Sequence, residues 1–138
     1  MTERSLILIK PDGVQRGLTG QILARIEAKG YQLVELKMLT ATTEILSEHY
    51  AEHRDKPFYQ PLVDFMLSGP VVAAIFEGDR VVEGIRTIMG PSEPTTAPAG
   101  TIRADLGRSW GQGVQKNLVH GSDSPQSAQR EIAIWFAD

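Results

Sequence analysis

The sequence predicts an α+β domain, an antiparallel sheet with helices packed against it, and three observations carry that prediction. Residues 5–9 and 71–76 are continuous apolar runs rich in β-branched residues, as central strands are. Segments of helical period separate the candidate strands, in the order strand, helix, strand, helical pair, strand, helix, strand, helix. The strand-helix-strand unit also recurs with the same short pattern in both halves. That doubling favours a ferredoxin-like split βαβ arrangement, a four-stranded antiparallel sheet covered by helices on one face. A doubly wound parallel sheet is the other topology open to an alternating chain. At 138 residues the chain makes one domain, 1–138, large enough for one well-filled core.

The elements follow from local chemistry. Residues 5–9 form a strand that Pro11 ends, so Lys10 is delivered to its tip. Thr19 is expected to cap a helix with Ile22, Leu23 and Ile26 inward and Gly30 as its stop. Val34, Leu36 and Met38 alternate with Glu35 and Lys37, giving a strand with one wet face. Residues 43–52 are helical in pattern, and Lys56-Pro57-Phe58-Tyr59-Gln60-Pro61 interrupts them before a second short helix through Leu62, Val63, Phe65 and Met66. After the strand at 71–76, Asp79 is expected to cap a helix with Val82, Ile85 and Met89 inward and Arg86 beside that face. Residues 90–103 read as a loop of turn formers. Leu118-Val119 supplies the fourth strand, and Ser124-Pro125 opens a helix as N-cap and first helical position. Ala128, Ile132, Trp135 and Phe136 are its packing stripe.

Composition narrows the function. Fourteen Lys+Arg against seventeen Asp+Glu give a formal charge of -3, which argues against a dedicated nucleic-acid or membrane-surface binder. Any anion site must then be a local cluster of basic groups. The absence of cysteine excludes disulfides and thiolate metal sites and fits a reducing compartment. No secretory signal or membrane-length apolar run is present, so the expected location is cytoplasmic.

The stretch Asn117-Leu118-Val119-His120-Gly121-Ser122-Asp123-Ser124-Pro125 puts a histidine at a strand-to-turn junction. An imidazole there is mostly neutral near pH 7 and can serve as nucleophile or base. It can equally bond the backbone at a strand end. Lys10, Arg16, Arg86 and Arg103 stand at element ends or in loops, and a polyphosphate needs several such charges converging. The rigid contexts Lys10-Pro11-Asp12-Gly13 and Gly100-Thr101-Ile102-Arg103 give Lys10 and Arg103 more weight than a solvated surface charge. Gly13, Gly17 and Gly20 match neither the Walker spacing nor G-x-G-x-x-G. Phe58 can stack on a base or staple the helical pair. Glu131 can accept the His120 N–H and fix its tautomer, or lie exposed on its helix. His49-Tyr50-Ala51-Glu52-His53 fits the inverted zinc-protease pattern H-x-x-E-H, with a solvated amphipathic helix as the ordinary alternative.

Taken together the ordered motifs closely resemble nucleoside diphosphate kinase. The matching segments are Leu8-Ile9-Lys10-Pro11-Asp12-Gly13-Val14-Gln15-Arg16-Gly17, Lys56-Pro57-Phe58-Tyr59, Ser68-Gly69-Pro70-Val71-Val72-Ala73, Gly100-Thr101-Ile102-Arg103, and the stretch from Asn117 through Glu131 to Trp135-Phe136. The resemblance covers essentially the whole chain. It implies a ping-pong phosphotransferase in which a nucleoside triphosphate, mainly ATP, gives its γ-phosphate to His120 and the phosphohistidine passes it to a nucleoside diphosphate. By matching position, Lys10 contacts phosphate and ribose, Arg86, Ser92 and Arg103 lie at the phosphates, Phe58 meets the base and Asn117 the sugar. Tyr50 and Glu131 position the imidazole, and Ser122 lines the site. Mg2+ rides on the phosphates, with no metal site on the protein. The resemblance also implies a homo-oligomer, with a hexamer ahead of a tetramer. A non-enzymatic nucleotide sensor or nucleic-acid binder on the same fold is the other class of function, and loss of His120 would mark it.

Three departures from the family pattern stand out. Ser92 occupies a place where the family usually has threonine, which keeps a hydroxyl there. Residues 104–116 are longer than the pattern leads one to expect, and the chain ends almost directly after Trp135-Phe136. Gly107, Gly111 and Gly113 punctuate the longer segment, so an outward bulge at 109–112 is expected, with Trp110 near its tip and packed on a neighbouring subunit or back on its own domain.

Overall fold

In the computed structural model, residues 2–111 and 116–137 are described. A four-stranded antiparallel sheet carries the chain in the order β2-β3-β1-β4. Its strands are β1 (Thr2–Ile9), β2 (Gln32–Leu39), β3 (Val71–Asp79) and β4 (Val119–Gly121). The helices are α1 (Pro11–Gln15), α2 (Thr19–Ala28), α3 (Thr43–His49), α4 (Tyr59–Met66), α5 (Val81–Met89), α6 (Ile102–Leu106) and α7 (Pro125–Trp135). None of these helices is long and apolar enough to cross a membrane.

The expected antiparallel α+β sheet is present, but helices cover both of its faces rather than one. Ile7, Ile9, Val72, Ala74 and Phe76 pack with Ile22 and Ile26 of α2 and Val81, Ile85 and Met89 of α5. Leu6, Leu8, Val71 and Ala73 pack with Leu46 of α3, Val63 and Met66 of α4, and Trp135 of α7. The physical reason lies in β1 and β3 themselves. A strand with no polar alternation has no wet side, so each face needs its own cover.

β2 departs from expectation. Leu36 and Met38, read as its inward row, are 50% and 60% exposed. The strand is at the sheet edge, and its pairing with β3 slips by one residue between Leu33 and Glu35. Such a bulge re-aims the residues that follow it.

Several element ends also differ. α3 stops at His49, and residues 51–53 form a 3-10 turn in place of the continuous helix expected to 52. Thr19 is the first residue of α2 and Leu18 is its N-cap, without a side-chain bond. Asp79 closes β3, and Arg80, in the left-handed region at φ 52°, holds the cap position of α5. Proline at Pro11 opens α1 rather than merely ending β1, because its fixed φ suits a first helical turn. The expected loop at 90–103 contains a 3-10 turn at Pro94–Thr96 and leads into α6, whose N-cap Thr101 accepts the Ala104 N–H. Ser124 caps α7 as expected, accepting the Ser127 N–H at 3.1 Å.

Pairing of β4 with β1 positions the site. Leu8 lies opposite His120 in the register, so the histidine emerges two residues from Lys10 on the neighbouring strand.

Candidate active site

A cleft of about 760 Å³ opens at the Lys10 end of β1. Eight of the residues singled out from the sequence line it: Lys10, Tyr50, Phe58, Arg86, Ser92, Arg103, Asn117 and His120. They come from six separate places in the chain, and only the sheet register and the helix packing bring them together. Glu131 stands behind the histidine on α7 and is buried.

His120 is held from its rear. Its Nε2 lies 2.9 Å from Glu131 Oε1, the same oxygen that accepts the Ser122 hydroxyl at 2.8 Å. Donation from Nε2–H leaves Nδ1 with its lone pair. Burial pushes the Glu131 carboxyl up, but the hydrogen bond and charge of His120, with His49 and Ser122, outweigh it and leave the group below the ordinary carboxylate range. Ser122 does not line the cleft as the resemblance implied. It is fully buried, accepts the Leu6 N–H at 3.2 Å and fixes the carboxylate.

Behind and beside His120 lies His49. The two rings meet edge-on with centroids 4.6 Å apart, and Trp135 Nε1 donates to His49 Nδ1 at 3.0 Å. Burial, with the charge of His120, lowers His49 to about 3, so it is neutral. Ligand atoms of His49, His120 and Glu131 lie within 4.8 Å of one another, near enough for a cation by distance alone. The chemistry disagrees: with Nδ1 accepting the indole proton, the neutral His49 ring carries its own proton on Nε2 and has no lone pair to give. The zinc-protease pattern fails too. His49 ends α3 and His53 sits in the following 3-10 turn, so the two do not share a helical face. Tyr50 lines the cleft between them, and burial pushes its phenol up, with Glu131 adding to the effect.

The cationic end has two kinds of member. Lys10 Nζ donates to Asn117 Oδ1 at 2.9 Å, and Asn117 Nδ2 donates to the Ser92 carbonyl at 3.0 Å. Burial and the neighbouring Arg103 lower the Lys10 ammonium to about 8. Arg103 is buried, and its guanidinium donates to three carbonyls: Asn117 at 3.1 Å, Gly90 at 2.9 Å and Val119 at 2.6 Å. Five N–H donors minus three engaged leaves two for a ligand. Burial and Arg86 lower Arg103 to about 10, which leaves it charged at neutral pH. Arg86, by contrast, is exposed at the mouth and paired with Asp123 at 2.6 Å. Phe58 is 46% exposed, its ring 5.2 Å from that of His53.

Sequence reasoning overlooked His53, Leu62 and Asp123 as cleft residues and His49 as the ring behind His120. Their signal was the spacing of His49, Tyr50 and His53 just ahead of Phe58. That spacing fits a solvated amphipathic helix or a zinc pattern equally in form, and neither reading makes it a cleft wall. Arg16 stands outside the cleft: it donates to the Leu106 carbonyl at 2.7 Å and lies 5.9 Å from the Trp110 ring. Trp110 is 42% exposed and covered by Arg108 at 4.2 Å, while Gln112 of the expected bulge lies outside the described residues.

The family profile described as nucleoside diphosphate kinase matches residues 3–138. Among curated proteins, the nucleoside diphosphate kinase of Streptomyces coelicolor is 55% identical over 137 residues, covering 99% of this chain and 97% of that protein. That of Moorella thermoacetica is 54% identical over 97% of this chain and 94% of the relative. Among solved structures, the Halobacterium salinarum enzyme in complex with CDP superposes with a TM-score of 0.93 at 44% identity, covering 100% of this chain and 90% of that one. The family protein of Babesia bovis gives 0.91 at 45%, over 98% and 88%. Matched along nearly its whole length in sequence and in fold, the chain belongs to the nucleoside diphosphate kinase family.

Proposed function

We propose that His120 carries the phosphoryl group in a ping-pong exchange between nucleoside triphosphates, mainly ATP, and nucleoside diphosphates. The observation that carries this reading is the Glu131–His120 pair at the floor of a cleft rimmed by Lys10, Arg86 and Arg103. In the first half-reaction the Nδ1 lone pair attacks the γ-phosphorus, an N–P bond forms, and the bond to the β–γ bridging oxygen breaks to release the diphosphate. The ring's positive charge is shared through Nε2–H with Glu131. The second half-reaction reverses these steps on another diphosphate. Lys10, Arg86 and the two free donors of Arg103 neutralise charge developing on the phosphoryl oxygens, which is most of what phosphoryl transfer asks of a protein.

Phe58 offers a face for the base and Asn117, with Lys10, the polar groups for the ribose. Stacking without edge contacts accepts every base. Tyr50 closes the wall beside the imidazole and Ser92 stands at the phosphate rim. Mg2+ belongs to the nucleotide: the cleft lining presents cations and one carboxylate, Asp123, already engaged by Arg86, so a divalent ion arrives on the phosphates. When bound there, it would offset phosphate charge beside Lys10, Arg86 and Arg103. The chain works in the cytoplasm as one domain, 1–138. It assembles as a homo-oligomer, a hexamer ahead of a tetramer, for which the exposed apolar row of Leu36 and Met38 on the β2 edge is the supporting feature.

The test is incubation with γ-labelled ATP followed by acid and alkali. An acid-labile, alkali-stable label that disappears in His120→Gln is the expected result; a His120→Gln protein that still labels and turns over overturns the mechanism. Solution mass measured alongside decides the assembly, since a monomer contradicts it.

A further inference from the structure

The backbone just ahead of His120 is held in a conformation that its own residues disfavour. Leu118 has φ 75°, in the left-handed region, and Val119 N–H donates back to the Asn117 carbonyl at 2.8 Å. An i to i+2 bond around a positive φ is the rarer, strained form of the γ-turn, and a leucine seldom adopts it. Such a turn persists only where its surroundings over-determine it. On either side of it stand the residues that matter most, Asn117 facing Lys10 and His120 facing the cleft.

The surroundings come from the other end of the chain. Asp12 Oδ2 accepts the Leu118 N–H at 3.1 Å, and Lys10 N–H donates to the Leu118 carbonyl at 2.8 Å. Both polar groups of the strained residue are thereby satisfied by the tip of β1 and the first turn of α1. Gly13 completes the mould. A Cβ there would stand 3.3 Å from the Leu118 carbonyl oxygen and 2.8 Å from Ile9 Cγ2. The Leu118 side chain is fully buried in the core beneath. Asp12 is itself buried and its other oxygen, Oδ1, has no hydrogen-bond partner, while the charge of Lys10 and the backbone of the α1 turn also act on its carboxylate.

We propose that Asp12 is a positioning residue for phosphoryl transfer, holding the strained turn at Leu118 so that Asn117 and His120 aim into one cleft. In Lys10-Pro11-Asp12-Gly13, Lys10 then faces the substrate while Asp12 and Gly13 shape the backbone opposite. The inference rests on His120 being the phosphoryl acceptor. Loss of the clamp acts on aim, and misplacement by about 1 Å costs on the order of a hundredfold in rate.

Two phosphoryl donors separate aim from collapse: ATP, which must be aligned by the cleft, and phosphoramidate, a small donor that needs no such alignment. His120 phosphorylation is timed with each, at saturating ATP, in the wild type, Asp12→Ala, Asp12→Asn and Gly13→Ala. Asp12→Ala is expected to slow labelling by ATP about tenfold or more and labelling by phosphoramidate little. Asp12→Asn, whose amide oxygen can still accept the Leu118 N–H, stays within about threefold of the wild type. A folded Asp12→Ala protein at the wild-type rate overturns the proposal, as does an Asp12→Asn protein as slow as Asp12→Ala, or equal loss with both donors. If Asp12→Ala does not fold, Gly13→Ala decides by the same two-donor split. A wild type that ATP never labels defeats the phosphohistidine reading itself.

Discussion

Oε1 of Glu131 sits 2.9 Å from Nε2 of His120, on the side of the ring turned away from the free nitrogen Nδ1. A group placed there orients and polarises the imidazole without touching the substrate. Glu131→Gln is therefore expected to lower kcat while leaving nucleotide affinity nearly unchanged. Steady-state and binding measurements on one preparation check this, and unchanged turnover would make Glu131 a bystander.

The same pair has a pH signature in stability. The Glu131 carboxyl lies below its ordinary range in the folded protein, so the folded state binds its proton less readily than the unfolded chain does. Its contribution is present above the unfolded value and lost as pH falls through the folded one. Denaturant unfolding should thus show the gap between wild type and Glu131→Gln closing on acidification, and a gap that widens would contradict the assignment.

Lys10 behaves in the opposite sense. Its folded pKa of about 8 lies below the ordinary lysine value, so between the two the unfolded chain binds more protons and this group's contribution to stability rises with pH. On the proposed function activity moves the other way, because the Lys10 ammonium in the cleft is lost above about 8. In kcat/KM, which reports the free enzyme, a falling basic limb near that pH is expected in the wild type and absent in Lys10→Gln.

The two arginines of the cleft should separate cleanly. Arg103→Ala strips donors from the carbonyls of Gly90, Asn117 and Val119, and is expected to cost on the order of 3 kcal/mol of stability along with activity. Arg86→Ala removes an exposed ion pair with Asp123 and should change stability by less than about 1 kcal/mol while still lowering turnover. Thermal melts beside kinetic assays read both. Equal destabilisation by the two would refute the division.

Phe58→Ala should weaken binding of every nucleotide by a similar amount, about 1–3 kcal/mol, because a ring face does not read base edges. Titration with purine and pyrimidine diphosphates measures it. Selective loss of one base would mean that Phe58 reads an edge rather than a face.

Local chemistry alone determined much of this protein. The apolar runs at β1 and β3, the Ser124-Pro125 start of α7 and the doubled strand-helix-strand pattern are written in side-chain polarity and backbone preference, which act over a few residues. The motif around His120 was likewise legible, and its resemblance to the family pointed to Lys10, Phe58, Arg86, Arg103 and Asn117, which share one cleft with it. What tertiary structure decided were relations between distant segments. That helices cover both faces depends on where α3, α4 and α7 dock. The exposure of Leu36 and Met38 depends on β2 lying at the edge with a bulge. Whether His49 and His53 made a metal pair or a wall depended on α3 ending one residue before Tyr50. Ser122 facing Glu131 and Arg103 holding three carbonyls depend on β4 pairing with β1. Hydrogen bonds between residues a hundred positions apart, such as Asp12 to Leu118, exist only once the sheet has closed, since no preference of either residue alone specifies its partner.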